Sequence, residues 1–163
     1  MASFKQPALL LRNRGNAVFD EIGLQQGEPF SIARVGRGAA AGDFDNDGRV
    51  DLLITENNGS ARLWRNDTEA PGHWLGLRLE AATGPKQAIG AVVRCTAGGT
   101  TQRRTVRTGS SYLSQGDLRV HFGIGDAKTV DLEIRWPSGK VETIVDVAVD
   151  RYGVVVEGTG KVR

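Results

Sequence analysis

Apolar residues along this chain either alternate with polar ones or fall in short runs, and no segment sustains the 3.6-residue period of an amphipathic helix. Alternation marks Trp74 to Glu80, Ala88 to Thr96, Thr101 to Thr108, Leu118 to Gly123, Val130 to Trp136, Val141 to Ile144 and Tyr152 to Glu157 as strands. The 22 glycines recur where turns between such strands are needed, Gly98-Gly99 and Gly123-Ile124-Gly125 among them. Seven strands at this spacing predict a sandwich of two antiparallel sheets. Upstream, Ala8 to Arg12 and Ala17 to Glu21 read as the last strands of one β unit. Gly38 to Arg65 reads as three strands of the next, with Asn58-Gly59 turning its second hairpin.

The sequence therefore predicts an all-β chain in two parts. Residues 1–70 form a pair of incomplete, propeller-blade-like units, Glu69-Ala70-Pro71-Gly72 links them onward, and residues 71–163 form the sandwich. Leu10-Leu11-Arg12-Asn13 and Leu63-Trp64-Arg65-Asn66 read as a weak internal repeat. One and a half blades cannot close a propeller, so their edges need a cover. The sandwich, further blades or a second copy of the chain would serve, and homo-oligomerisation through open strand edges is one expected outcome.

The strongest chemical signal is Asp43-Phe44-Asp45-Asn46-Asp47-Gly48-Arg49-Val50-Asp51. Carboxylates packed this densely repel one another unless a hard cation lies between them. The spacing D-x-D-x-D-G-x-x-D suits calcium: alternate side chains of Asp43, Asp45 and Asp47 point inward, Gly48 permits the turn, the Arg49 carbonyl adds a ligand and Asp51 closes the far side. An EF-hand loop closes with a bidentate glutamate, but Ile54 stands at that position and the flanks are short and apolar, so strands rather than helices must bracket the loop.

This loop, with Gly38 to Gly42 before it and Asp51 to Thr55 and Leu63 to Asn66 after it, resembles an FG-GAP (VCBS-type) repeat, a calcium-carrying propeller blade. Further on, Ile89-Gly90-Ala91, Gly109 to Gln115, His121 to Gly125 and Trp136-Pro137-Ser138-Gly139 fall in the order of the ASPIC/UnbV domain. The resemblance implies a secreted, extracellular or periplasmic setting, since that domain typically follows FG-GAP repeats in secreted proteins. The first residues lack a hydrophobic signal core and no apolar run approaches a membrane span, so no membrane insertion is expected.

Composition narrows little, but charge is uneven: residues 1–71 carry a net −2 and residues 72–163 a net +4. Arg103, Arg104 and Arg107 fall in one predicted strand and offer a possible polyanion-binding stripe, with a solvated face as the plainer reading. Nucleic acid is not an expected partner, because no aromatic residues interleave with these arginines. Trp64, Trp74 and Trp136 would be sugar platforms if exposed, but each sits in an apolar strand that predicts burial. Cys95 reads as a core residue. Ser110, Ser111 and Ser114 lack a nucleophile elbow, and His73 and His121 lack partners at zinc-ligand spacing, so no catalytic set emerges. The expectation is a calcium-stabilised, non-enzymatic interaction or adhesion module for an unknown protein or glycan, with a carbohydrate-binding accessory domain as the alternative.

Overall fold

The computed structural model describes residues 4–69 and 72–163, so the expected linker at 69–72 lies partly outside the described residues. Among these residues twelve strands form four sheets, and helix is confined to a 3-10 turn at Gly23–Gln25 and a single-turn helix, α1, at Glu28–Ser31. β1 (Leu11–Gly15) and β2 (Val18–Glu21) make a hairpin. β3 (Gly36–Gly42), β4 (Asp51–Glu56) and β5 (Arg62–Trp64) make an antiparallel meander in which Gly42 faces Asp51 across the mouth of the aspartate loop.

The C-terminal part is the expected sandwich. Its larger sheet runs β11 (Val141–Ala148), β10 (Thr129–Arg135), β7 (Val92–Ala97), β8 (Thr100–Thr105), all antiparallel. The smaller runs β12 (Arg151–Val156), β6 (His73–Glu80), β9 (Val120–Gly125). Period-2 alternation puts Leu75, Leu77 and Leu79 of β6 and Val130, Leu132 and Ile134 of β10 into one buried core, together with Phe122, Val155 and Trp136. One pairing departs from expectation: β12 lies parallel to β6, with Arg151 beside Leu75 and Val156 beside Glu80. The chain reaches β12 by crossing from the end of β11 in the other sheet, and Asp150 fixes that arrival. Its backbone N–H donates to the Trp74 carbonyl at 2.6 Å and its carboxylate accepts from His73 at 2.6 Å.

Where apolar burial occurs decides how the two parts depend on each other. Among the described residues, all of the buried apolar side chains lie between Leu75 and Val155. Among the described residues before position 70, the buried ones are Gly23, Gly38, Gly48, Asp43 and Asp51. Each large apolar side chain buried contributes about 1.5–3 kcal/mol, a source the sandwich has and the N-terminal sheets lack. Leu11, Val18, Phe19, Phe44, Leu53 and Leu63 are exposed there instead. The meander must therefore draw its order from its polar loop and from its contacts with the sandwich.

Candidate functional site: the aspartate loop and its seat on the sandwich

The β3–β4 connection turns through Asn46 (φ 60°) and Gly48 (φ 88°), which curls the loop back over its own first residue. Asp43 and Asp51, at the two roots, are 5% and 2% exposed, whereas Asp45 is exposed at the rim. One carboxylate oxygen from each of Asp43, Asp45 and Asp51 lies within 4.8 Å of the others. The buried pair is held by backbone donors. Asp43 accepts from the Asp47 N–H (3.1 Å) and the Gly48 N–H (2.7 Å), and Asp51 from the Phe44 N–H (2.8 Å) and the Asn66 N–H (2.8 Å). Among the described residues none donates a hydrogen bond to the Asp45 carboxylate, which leaves both its oxygens available.

Asp47, expected as a fourth carboxylate in the cluster, is turned elsewhere. One oxygen accepts the Arg49 N–H at 2.8 Å and the other pairs with the Arg49 guanidinium. The structure thus brings three of the four aspartates together and gives Asp47 and the Arg49 side chain to each other.

The loop is seated on the sandwich by four side chains that spacing alone did not single out as a group. Gly48 lies directly beneath the Trp74 indole, where an added Cβ would stand 2.1 Å from the ring. His121 Nε2 lies 2.9 Å from the Gly48 carbonyl; a carbonyl can only accept, so that nitrogen carries the proton. The imidazole stacks on Trp74 with ring centres 5.6 Å apart and planes 9° apart. Tyr152 packs against the indole in a tilted arrangement, ring centres 4.9 Å apart, and donates its hydroxyl to Asp43 Oδ2 at 2.6 Å. Arg119 lies 3.8 Å over the Tyr152 ring and donates to Asp117 (2.6 Å), Asn46 Oδ1 (2.6 Å) and the Asp43 carbonyl (3.0 Å).

Electrostatics follow this packing. Burial pushes the Asp43 carboxyl up, but the Tyr152, Gly48 and Asp47 hydrogen bonds together outweigh it and hold the group below its ordinary value. Burial holds the His121 imidazole below its ordinary value, hence neutral, and burial followed by the bond to Asp43 raises the Tyr152 hydroxyl. Tyr152 is therefore a committed donor and Asp43 a committed anion.

A second seam joins the parts along β3. The Asp117 N–H donates to the Ala41 carbonyl (3.0 Å) and the Ala39 N–H to Ser111 Oγ (3.3 Å), while a Cβ on Gly38 would stand 2.2 Å from Ser114 Oγ. The segment Gly109 to Asp117 is thus the platform on which the meander rests. Its serines serve this seam and their own bend, Ser114 Oγ donating to the Tyr112 carbonyl at 2.9 Å.

The remaining sequence candidates divide. Trp136 and Cys95 are buried, as expected, and burial pushes the Cys95 thiol up to about 11. Trp74 is packed into the junction, and Trp64 is half-buried on β5. Arg103, Arg104 and Arg107 do not share one face. Arg103 stands opposite Arg94 on the outer face of β8, while Arg104 pairs with Val93, whose side chain faces the core, and so lies on the core-facing side of the strand, over the Phe122 ring at 5.6 Å, though itself still exposed. Arg107 lies beyond the end of β8 and, with Arg104, lines a cavity against the loop.

A sequence profile described as ASPIC and UnbV matches residues 81–162. Cartilage acidic protein 1 of Mus musculus is 26% identical over 136 residues, covering 82% of this chain and 21% of that protein. The Homo sapiens protein of the same name is also 26% identical, with 82% and 20% covered, and the Xenopus tropicalis one is 30% identical over 111 residues, with 66% and 17% covered. The chain spans about a fifth of the length of these curated relatives. The profile begins within the sandwich and leaves the aspartate loop outside it, and no FG-GAP repeat is shown by it. Because it takes in half of the chain, from the end of β6 to the C-terminal strand, this chain belongs to the ASPIC and UnbV family.

Proposed function

We propose that this chain is a calcium-stabilised, non-enzymatic interaction module that works outside the cytoplasm, its meander acting as a single FG-GAP-like unit. The observation that carries this reading is the convergence of Asp43, Asp45 and Asp51 oxygens within 4.8 Å, with two of the three residues buried. Calcium–oxygen distances of about 2.3–2.6 Å place two ligands of one ion at most about 5 Å apart, so the residues present fit that ion. Asp43, Asp45 and Asp51 would hold it, with the Arg49 carbonyl as a further ligand; Asp47 would have to release Arg49 to join them.

When bound, the ion neutralises the two buried carboxylates and ties them to the exposed Asp45, stiffening the loop that Trp74, His121, Tyr152 and Arg119 grip. The setting agrees with this, because millimolar extracellular calcium fills even a modest site. Cartilage is the tissue in the relatives' name, and an extracellular place for this chain is carried over from them. A non-enzymatic role is supported by how the polar groups are used: the serines, His121 and Tyr152 are occupied in joining loop to sandwich. Isothermal titration with calcium tests the site. One ion per chain is expected, and none for Asp45→Ala, which removes a ligand that no hydrogen bond holds among the described residues; no heat of binding at millimolar calcium overturns the reading.

A further inference from the structure

A cavity of about 300 Å³ opens between the aspartate loop and the edge of the sandwich. Its walls carry three guanidinium groups, from Arg104, Arg107 and Arg119, and two carboxylates, from Asp43 and Asp117. The carboxylates are already engaged. Asp117 takes Arg119, and Asp43 takes Tyr152 and two backbone N–H groups. Arg104 and Arg107 have no counter-ion among the described residues. Arg104 is nonetheless fixed, over the Phe122 ring and bonded to the Arg103 carbonyl at 3.1 Å and Gln102 Oε1 at 3.4 Å, which are neutral partners. A held cation facing a cavity beside a second, unpaired one is arranged for an anion from outside the chain.

We propose that this cavity binds the carboxylate or sulfate of an acidic sugar residue, with Arg107 and Arg104 as the anion's partners. A guanidinium fork matches the oxygens of either group, and the volume, at the small end for ligand pockets, suits one compact residue rather than a polymer groove. A peptide fits less well. Peptides commonly bind a sandwich by adding a strand to its edge, and β8 is such an edge, but the inward-pointing Arg104 and Gln102 are the kind of side chains that block strand addition. Blocking explains Arg104 alone; Arg107, past the strand end, has no part in it. The inference deepens the interaction-module reading by naming its ligand, and replaces the three-arginine stripe with a two-arginine pocket that excludes Arg103.

Titration calorimetry at 150 mM salt, where the Debye length is about 8 Å and diffuse charge attraction is screened, tests it with a heparin-derived and a hyaluronan-derived tetrasaccharide and a glutamate-rich peptide. Saturable one-to-one binding of at least one tetrasaccharide is expected, the heparin and hyaluronan arms separating sulfate from carboxylate. Arg107→Ala and Arg104→Gln should each weaken it about tenfold or more, and Arg103→Ala should leave it unchanged. Arg107 makes no hydrogen bond or ion pair among the described residues, so its removal should not disturb folding, and an unaltered melting curve checks this. Absence of binding by both tetrasaccharides, equal weakening by Arg103→Ala, or a glutamate peptide bound as tightly overturns the proposal. The calcium titration reports on a different set of ligands, so either reading can fail while the other stands.

Discussion

Replacing Gly48 by alanine should cost far more than its one methyl group suggests. Gly48 sits at φ +88°, where an L-residue costs about 1–2 kcal/mol. Its new Cβ would also stand 2.1 Å from two atoms of the Trp74 indole, which stacks on His121 and packs against Tyr152 and so has little room to retreat. Forcing a methyl group into such packing costs about 1–3 kcal/mol more, for a total of about 2–5 kcal/mol. Gly139→Ala is the control, because Gly139 has nearly the same backbone angle (φ +91°) and nothing within 4 Å of an added Cβ, so only the conformational part, about 1–2 kcal/mol, applies. Urea unfolding followed by tryptophan fluorescence, in EDTA so that no ion contributes, measures both. A loop that undocks before the sandwich unfolds would show first as a change in Trp74 emission and as protease cleavage within residues 43–50. Equal losses for the two variants, with no such early change, would refute the close seating of the loop.

Tyr152→Phe should cost about 1–2 kcal/mol, since it removes the 2.6 Å hydrogen bond to the buried Asp43 and leaves the ring beneath Arg119; a loss below about 0.3 kcal/mol would contradict that bond. Glu157 accepts hydrogen bonds from the Ser138 hydroxyl and the Ala82 N–H, which hold its carboxyl below the ordinary value. A carboxyl depressed in the folded state contributes stability that is full above its unfolded pKa and is lost as pH falls through the folded one. Glu157→Gln should therefore lower the melting temperature at pH 6, and the gap to the parent should narrow below about pH 4.5; a gap independent of pH would contradict this.

Some of this architecture was legible because its cause is local. Alternation in Val130 to Ile134 or Leu75 to Leu79 shows which face meets the core, and it placed every sandwich strand. Alternation carries no direction, so the parallel pairing of β12 with β6, set by the crossing that Asp150 anchors, left no mark. The predicted strand at Ala88 starts later, at Val92, because Ala88 and Gly90 take positive φ to bring the Gly90 N–H to the Val106 carbonyl at 2.8 Å. The aspartate loop announced itself through spacing, but Arg49 competes for Asp47, and spacing does not weigh a guanidinium two residues away. The opposite faces of Arg103 and Arg104 follow from adjacency in a strand and could have been read from sequence. The seat of the loop could not: Trp74, Arg119, His121 and Tyr152 come from three separate stretches, and only the fold brings them to one place.

Thermal unfolding in millimolar calcium against EDTA shows whether a calcium ion held by Asp43, Asp45 and Asp51 stabilises the folded chain. An ion that binds only the folded state at about a hundredfold excess over its Kd adds about 2.7 kcal/mol. For a chain of this size that corresponds to a rise in Tm of about 5–10 °C, and Asp45→Ala should melt at the same temperature in both buffers. A Tm that does not move when calcium is removed, or a shift that survives Asp45→Ala, would contradict the account.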